Sequence, residues 1–399
     1  MIGRRPRVAL VVQRAGREVN GGAETLCRDV AMRLAVDWDV TIVTTTAVDY
    51  LTWEPEFAAG PGDIEGVPVL RFDVDETRSR HDFDRLSQRI VTRLDSAPLA
   101  EQEAWMRAQG PYSTSLLRYL EDHGREYDVV FFYTYLYATT YFGLPLVQDR
   151  AVLVPFAHDE WPIHLSMWNQ FFTRPREIVL STPEERDFLQ RRFRAQFDGP
   201  IIGIGVDMPE DAQGDRFRRR FGIPNPYAIY VGRIDPSKGC EQLLEDFARV
   251  KKYRADHLLL VMLGRAAMPI PNLPYLRALG FVDEQTKFDA LAGSEMLIMP
   301  SSLESLSISL LEVWSVGRPA LVNAASDVLV GQSRRANAGL WYNDAAEMSA
   351  AIPLLREQPG EIMGANGRDF VQRSYAWPKV VEKYQSVYDG TAVPAKASA

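Results

Sequence analysis

The sequence predicts an α/β protein of two domains, each built on a mostly parallel sheet. Three observations predict it. Short apolar runs bounded by Gly, Pro or Ser alternate along the chain with segments of helical apolar spacing. The alternation runs twice, with a break near residue 206. A length of 399 residues suffices for two domains that each bury a substantial core.

In the first half, Val8–Val12 reads as a strand, Gly22–Leu34 as a helix and Val40–Thr44 as the next strand. Val67–Phe72 and Val129–Tyr133 are further strands. Ala151–Pro155 is a strand leading to His158, and Glu177–Ser181 precedes a helix opening at Pro183. Pro200–Val206 reads as an edge strand and linker. In the second half the strands are Ala228–Val231, Leu258–Leu263, Met296–Met299 and Pro319–Val322. Helical patterns cover Gln242–Val250 and, after Trp377, Pro378–Tyr388. The expected domains are therefore 1–205 and 206–376, followed by a last helix over 377–390 and a flexible tail over 391–399.

Composition narrows the function classes. A hydrophobic share of 46% with 25% charged residues is ordinary for a soluble globular chain. A net charge of −8 argues against nucleic acid as a partner. Cys27 and Cys240 lie far apart, which suits a reducing cytoplasm and offers no zinc spacing. Arg4, Arg5 and Arg7 lead straight into a strand rather than a signal peptide, and no run approaches the ~20 apolar residues of a membrane span. A cytoplasmic location is expected.

The densest chemistry lies in Met299–Pro319, MPSSLESLSISLLEVWSVGRP. Glu304 and Glu312 stand eight residues apart, across a loop that runs into a helix. Ser305, Ser307 and Ser309 surround the helix start, where backbone N–H groups lack intrahelical partners and favour anions. Such an element offers amides to a phosphate and carboxylates to hydroxyls, the combination a sugar nucleotide needs. Upstream, Tyr227–Gly239 reads YAIYVGRIDPSKG: a strand ending at Gly232, then Arg233 and Lys238 in a short loop before a helix. Two cations beside a helix start suit a diphosphate. Each motif also has a plainer reading: a solvated glutamate pair, a polar turn, a flexible Gly21–Gly22 turn and a packing histidine.

Together these motifs resemble the retaining glycosyltransferases of family four, which have the GT-B fold. The Glu-x7-Glu motif is matched by Glu304 and Glu312, and the Gly-Arg–loop–Lys-Gly motif by Gly232, Arg233, Lys238 and Gly239. The Gly-rich first loop is matched by Gly21, Gly22, Ala23 and Glu24. The histidine after a mid-chain strand is matched by His158, and the junction signature by Gly205, Val206 and Asp207. The matches follow the family's order over nearly the whole chain. The resemblance implies two Rossmann-like domains facing across a cleft, with the last helix crossing back to the first.

The resemblance also implies roles. Arg233 and Lys238 would contact the donor diphosphate, with backbone amides around Ser305, Leu306 and Ser307. Glu312 would accept from the ribose and Glu304 from the donor sugar. Phe281 and Val282 would lie beside the base, His158 would face the donor sugar, and Gly21 and Gly22 would let the first loop approach the diphosphate closely. Glycosyl transfer builds negative charge on the departing diphosphate, which fixed cations stabilise. The implied reaction retains anomeric configuration without an enzyme nucleophile, and a glycosidase double displacement does not carry over. No cofactor is expected, and UDP- or GDP-hexose is the expected donor.

Where the family commonly has glycines and a proline, this chain has Ser305, Ser307 and Ser309, expected to add side-chain donors above the phosphates. The polar stretch Gln13–Asn20 suits acceptor recognition. The acceptor is expected to be a carbohydrate or a lipid-linked glycan in cell-surface assembly. The aromatic segment Phe131–Phe142 and Trp161, Trp168, Phe171 and Phe172 could stack on sugars or dock a lipid, with core packing the favoured reading. The basic clusters Arg191–Arg194 and Arg216–Arg220 could touch an anionic membrane, although solvated helix faces are commoner. Asp73 and Asp75 mimic the metal-binding Asp-x-Asp of the other large glycosyltransferase fold, but Asp37/Asp39 and Asp82/Asp84 repeat the spacing, so no metal site is assigned. Three alternatives stay open: a GT-B sugar-nucleotide epimerase, a catalytically silent GT-B partner, and a Rossmann oxidoreductase, the last opposed by the lack of G-x-G-x-x-G after the first strand.

Overall fold

The computed structural model describes residues 4–19, 21–254 and 256–393. The chain forms two compact units, Met1–Gly203 with Val380–Ala399, and Ile204–Lys379.

The first unit holds a seven-stranded sheet. Its strands are β1 (Arg7–Arg14), β2 (Asp39–Thr45), β3 (Gly60–Ile64), β4 (Val67–Phe72), β5 (Val129–Tyr133), β6 (Ala151–Val154) and β7 (Glu177–Ile178), in the spatial order β3-β4-β2-β1-β5-β6-β7. All pairs are parallel except β3 with β4. Val8 on β1 aligns with Val40 on β2 and Val129 on β5. Val8–Val12 is fully buried, as expected of a central strand covered on both faces. Strand β3 escapes sequence reading because GPGDI has no apolar run; it exists through a tight turn at Glu65-Gly66, both at positive φ.

The second unit holds a six-stranded, all-parallel sheet. Its strands are β8 (Tyr227–Val231), β9 (Leu259–Leu263), β10 (Leu276–Gly280), β11 (Met296–Met299), β12 (Ala320–Asn323) and β13 (Gly339–Tyr342), in the order β10-β9-β8-β11-β12-β13. The strand order reverses at the β8–β11 pair. In an open parallel sheet such a reversal opens a crevice beyond the carboxyl ends of the strands.

Three expectations need correction. Pro200–Val206 is not a strand; Ile201 and Val206 make only isolated bridges, to Leu180 and Ala376, and Gly203 takes a φ of 74°, outside the extended region. Glu177–Ser181 pairs regularly only to Ile178. The last helix runs over Trp377–Thr391, and from Val380 it belongs to the first unit, burying Val380, Tyr384 and Val387 there. Thr391 is buried in its last turn and the Val393 amide donates to the Asp128 carbonyl, so 391–393 are not a loose tail; residues 394–399 lie outside those described.

The aromatic segment is core. Phe131, Phe132, Tyr133, Tyr135, Trp168, Phe171 and Phe172 are at most 2% exposed, so they do not form a docking surface. Part of each basic cluster is engaged: Arg192 donates to the Ile163 carbonyl, Arg216 pairs with Asp211 and Asp289, and Arg218 donates to the Asn225 and Gly293 carbonyls. No helix among the described residues is long and apolar enough to cross a membrane.

One buried carboxylate ties the terminal segments of the first unit together. Asp128 is 2% exposed; it accepts from the Arg7 amide (2.8 Å) and the Tyr388 hydroxyl (3.1 Å) and pairs with Arg4. Asp128→Ala leaves these donors unmet and should cost about 3 kcal/mol. Urea denaturation reads this directly, and an unchanged midpoint would contradict the role.

Candidate functional site

In the second unit the site grows from the carboxyl ends of β8 and β11. After β8, Gly232 turns the chain and the Tyr230 hydroxyl donates to the Arg233 carbonyl (2.7 Å). Asp235 then organises the loop. It accepts from the Lys238 amide (3.3 Å) and the Ser237 hydroxyl, and its carboxylate pairs with the Arg233 guanidinium. Loop donors and the guanidinium together outweigh its burial and hold its carboxyl below the usual range. Gly239 follows at a φ of 72°, and a Cβ there would meet the Pro300 carbonyl oxygen at 2.4 Å. Only glycine lets the β8 loop lie this close to the chain leaving β11.

That approach joins the two motifs. Lys238 Nζ donates to Glu304 Oε1 at 2.8 Å, across 66 residues of sequence. Their side chains are 34% and 12% exposed, so the pair is neither bulk-solvated nor sealed. Beyond Glu304, Ser307 caps the helix Ile308–Ser315 by accepting from the Leu310 amide (3.3 Å). Ser309 donates to the Val231 carbonyl (2.9 Å), binding this helix start to the end of β8. The hydroxyls of Ser307 and Ser309 therefore serve the fold, which corrects the expectation that they stand as added donors over a phosphate.

Glu312 lies in the second turn of that helix, 8% exposed. Its Oε1 accepts from Lys287 Nζ at 2.6 Å. Burial pushes the Glu312 carboxyl up, with the Lys287 ammonium pulling the other way. Lys287 loses water as well, but Glu312 and Glu284 outweigh that and raise it. The ammonium charge is the firm element of the pair, since two carboxylates reach it within 2.7 Å. Lys287 sits on the helix Glu284–Gly293, capped by Asp283, directly after Phe281 and Val282. Phe281 is 74% exposed, an unusual exposure for a large aromatic, and Val282 is half-buried.

In the first unit the loops beyond β1 and β6 carry the other expected residues. The helix Gly22–Leu34 starts after Gly21, which has an ordinary extended φ of −161°. Space, not conformation, requires glycine there: a Cβ on Gly21 would lie 2.1 Å from Glu24 Oε2. Glu24 forms a buried ion pair with Arg14 at 2.6 Å. No atom lies within 4 Å of a Cβ built on Gly22. In the polar stretch before it, Gln13 and Arg14 are buried, and Asn20 lies outside the described residues. After β6, Phe156 is a non-glycine residue at a φ of 52°, a costly conformation often found at functional sites. His158 follows, with Nδ1 at 3.4 Å from the Phe156 carbonyl and Nε2 at 3.7 Å from Glu160. Glu160 accepts from the Tyr135 hydroxyl (2.8 Å), and Asp159 pairs with His164 (2.6 Å). Asp75 is occupied by the Thr114 amide and hydroxyl. Among the described residues, no cluster of His, Cys, Asp and Glu is arranged to hold a metal ion.

Sequence reasoning missed three contributors. Asp235 was legible as the Asp-Pro start of a turn, and Glu185 as the fourth residue of a Thr-Pro-Glu-Glu capping box. Lys287 had no local signal, because its partner Glu312 comes from another element, and the first-loop match at Glu24 did not reveal its partner Arg14. Glu185 is 1% exposed; its two oxygens accept from the Ala157 and Ser181 amides, each at 2.6 Å, fixing the backbone beside His158. Burial pushes its carboxyl up to about 7 despite those amides. Between about pH 4.5 and 7 the unfolded chain has released this proton while the folded chain still holds it. This group's stability contribution, full below pH 4.5, is therefore lost as pH rises to 7, by about 3 kcal/mol. Stability curves of wild type and Glu185→Gln should differ by that slope, and parallel curves would refute it.

Residues 225–357 match the family model described as glycosyl transferases group 1. The chain is 24% identical over 223 residues to a GDP-mannose-dependent monoacylated alpha-(1-6)-phosphatidylinositol monomannoside mannosyltransferase from Corynebacterium glutamicum. That match covers 49% of this chain and 58% of the relative, so it spans little more than half of it. The structure resembles sucrose-phosphate synthase from Thermosynechococcus elongatus, with a TM-score of 0.72, 17% identity, and coverage of 97% of this chain and 99% of that one. It also resembles HepE from Anabaena in complex with UDP-glucose, with a TM-score of 0.65, 13% identity, and coverage of 96% and 98%. The fold is GT-B.

Proposed function

We propose that this chain, whose residues 225–357 match the family model described as glycosyl transferases group 1, moves a hexose from a nucleotide-diphosphate sugar to a hydroxyl acceptor with retention of configuration. The observation that carries this reading is the Lys238–Glu304 contact at the β8–β11 crevice, beside the Ser307-capped helix start. A cation, a carboxylate and the amides of a helix start converge where a sugar diphosphate would sit.

The ion pairs define a sequence of events. Without donor, Lys238 is neutralised by Glu304 and Arg233 is paired with Asp235. An incoming diphosphate competes for both cations. As Lys238 turns to the phosphate oxygens, Glu304 is released to accept from the donor sugar's hydroxyls. Glu312 accepts from the ribose, and the exposed Phe281 offers a face to the base. As the glycosidic bond breaks, charge grows on the diphosphate, where Arg233, Lys238 and the helix amides stabilise it. The acceptor hydroxyl passes its proton to the leaving phosphate on the same face. With two cations meeting the diphosphate charge, the reaction proceeds without a required metal.

The donor is a UDP- or GDP-hexose: one relative is GDP-mannose-dependent and one structural neighbour holds UDP-glucose. The acceptor, a carbohydrate or a lipid-linked glycan in cell-surface assembly at the inner face of the membrane, is assigned to the first unit, where His158, Glu160, Asp159 and His164 cluster after β6.

A thermal-shift panel of UDP, GDP, ADP and dTDP with their hexose conjugates, without metal and then with Mg²⁺, tests the reading. One nucleotide should raise the melting temperature without metal, and Arg233→Ala should abolish the shift. No shift with any nucleotide would favour a silent partner protein, and nucleotide release without acceptor an epimerase. Lys238→Ala should cut turnover by about 10²-fold or more; unchanged turnover in folded protein removes Lys238 from the site. Glu312→Ala should weaken nucleotide binding, measured by calorimetry, more than it slows a saturated reaction.

A further inference from the structure

Lys287 has no part in the motifs that identify the site, yet it makes the closest contact to one of them. Its Nζ lies 2.6 Å from Glu312 Oε1 and 2.7 Å from Glu284 Oε2. The lysine and Glu312 side chains are 14% and 11% exposed, while Glu284 is 78% exposed. Glu284 is thus a surface partner that lysine could lose at little cost, and Glu312 is a buried one that it could not. The contact spans 25 residues and joins the helix Glu284–Gly293 to the helix Ile308–Ser315. Only one Glu312 oxygen is used. Oε2 has no hydrogen-bond donor among the described residues.

We propose that Lys287 is the positioning residue for nucleotide ribose recognition: it occupies Glu312 Oε1, so that Oε2 is presented to the adjacent hydroxyls of the ribose. The inference rests on the nucleotide-sugar reading above and extends it to a residue outside the Glu-x7-Glu pattern. The charged groups facing Glu312 are Lys287 and Glu284 from one helix and Asp207 from the junction segment. Lys287 is the one cation among them, and both neighbouring acids favour protonation of Glu312, as does its burial. Without the ammonium, burial and the neighbouring acids push the Glu312 carboxyl further toward protonation, and a protonated carboxyl is a weaker acceptor than a carboxylate. The paired hydroxyls of a ribose are what a singly occupied carboxylate accepts best; a phosphate would be repelled by it.

Isothermal titration of UDP and GDP, each beside its 2′,3′-dideoxy analogue, tests this across pH 6 to 8.5. Wild-type affinity for the preferred nucleotide should be nearly flat over that range. Lys287→Met should weaken binding about 10-fold or more at pH 6, with the loss shrinking as pH rises and Glu312 ionises. Lys287→Arg should restore the flat profile. The dideoxy analogue should bind wild type and Lys287→Met alike. An equal loss for ribose and dideoxy ligands at every pH would overturn the proposal and make Lys287 a phosphate or base contact. Unweakened binding in Lys287→Met would overturn it as well. If Lys287→Met does not fold, Lys287→Met/Glu312→Gln, which leaves no unpaired buried carboxylate, carries the test. It should bind independently of pH and without preference for the ribose, and a preserved preference would sink the idea. Wild-type protein that binds neither nucleotide would overturn the nucleotide reading itself, a result distinct from all of these.

Discussion

The pairing of β8 with β11 is the constraint on which the second unit's chemistry depends. These strands are neighbours in the sheet although β9 and β10 separate them in sequence. Because the sheet is parallel, both strands end at the same edge, and the loops that follow them must meet there. Gly239 against Pro300 and Ser309 against Val231 are the backbone-level closures of that meeting, one permitted by a missing Cβ and the other by a serine hydroxyl. The Lys238–Glu304 pair is the consequence. Neither residue's local sequence contains the other, and a shift of strand order would part them without altering either motif.

Charge balance governs the same edge. Three cations are drawn into it, and each has a carboxylate of its own: Arg233 with Asp235, Lys238 with Glu304 and Lys287 with Glu312. A partly dehydrated cation without a partner would pay an uncompensated desolvation cost. Pairing stores the charges in a usable form. The pairs differ in how tightly they hold. Asp235 is also locked by the loop it caps, so Arg233 is held by a fixed group. Glu304 stands in an irregular segment before the helix cap, outside any helix or strand. Glu312 is set in the helix and buried, and its lysine is correspondingly permanent.

The first unit uses its buried polar groups for positioning. Glu24 with Arg14 shapes the start of the first helix, and Glu185 binds the amides of Ala157 and Ser181, tying the chain before His158 to the cap of the helix Pro183–Phe193. Behind these groups lies the aromatic core of Tyr135, Trp168, Phe171 and Phe172, whose rings meet mostly edge to face. The positive φ at Phe156 persists because this core and Glu185 over-determine the turn.

Much was legible in the residues alone. Central parallel strands are buried on both faces, so β1, β5, β8 and β11 announce themselves as unbroken apolar runs; the helix Gly22–Leu34 and the Ser307 cap follow from period and cap chemistry. The motif residues Arg233, Lys238, Glu304 and Glu312 were legible because each sits just beyond, or a few residues beyond, a recognisable strand end. Edge strands such as β3 and β10 were not, since half-exposed residues need no apolar run. Gly203 broke the strand expected over Pro200–Val206 through a backbone angle that composition does not encode. Above all, partners across elements were decided only in three dimensions: Lys287 for Glu312, Glu24 for the space at Gly21, Asp128 for Tyr388. A sequence specifies what each segment can bury and where each chain reversal can fall. Which charge then faces which is set by strand order and helix rotation, and these are properties of the packed whole.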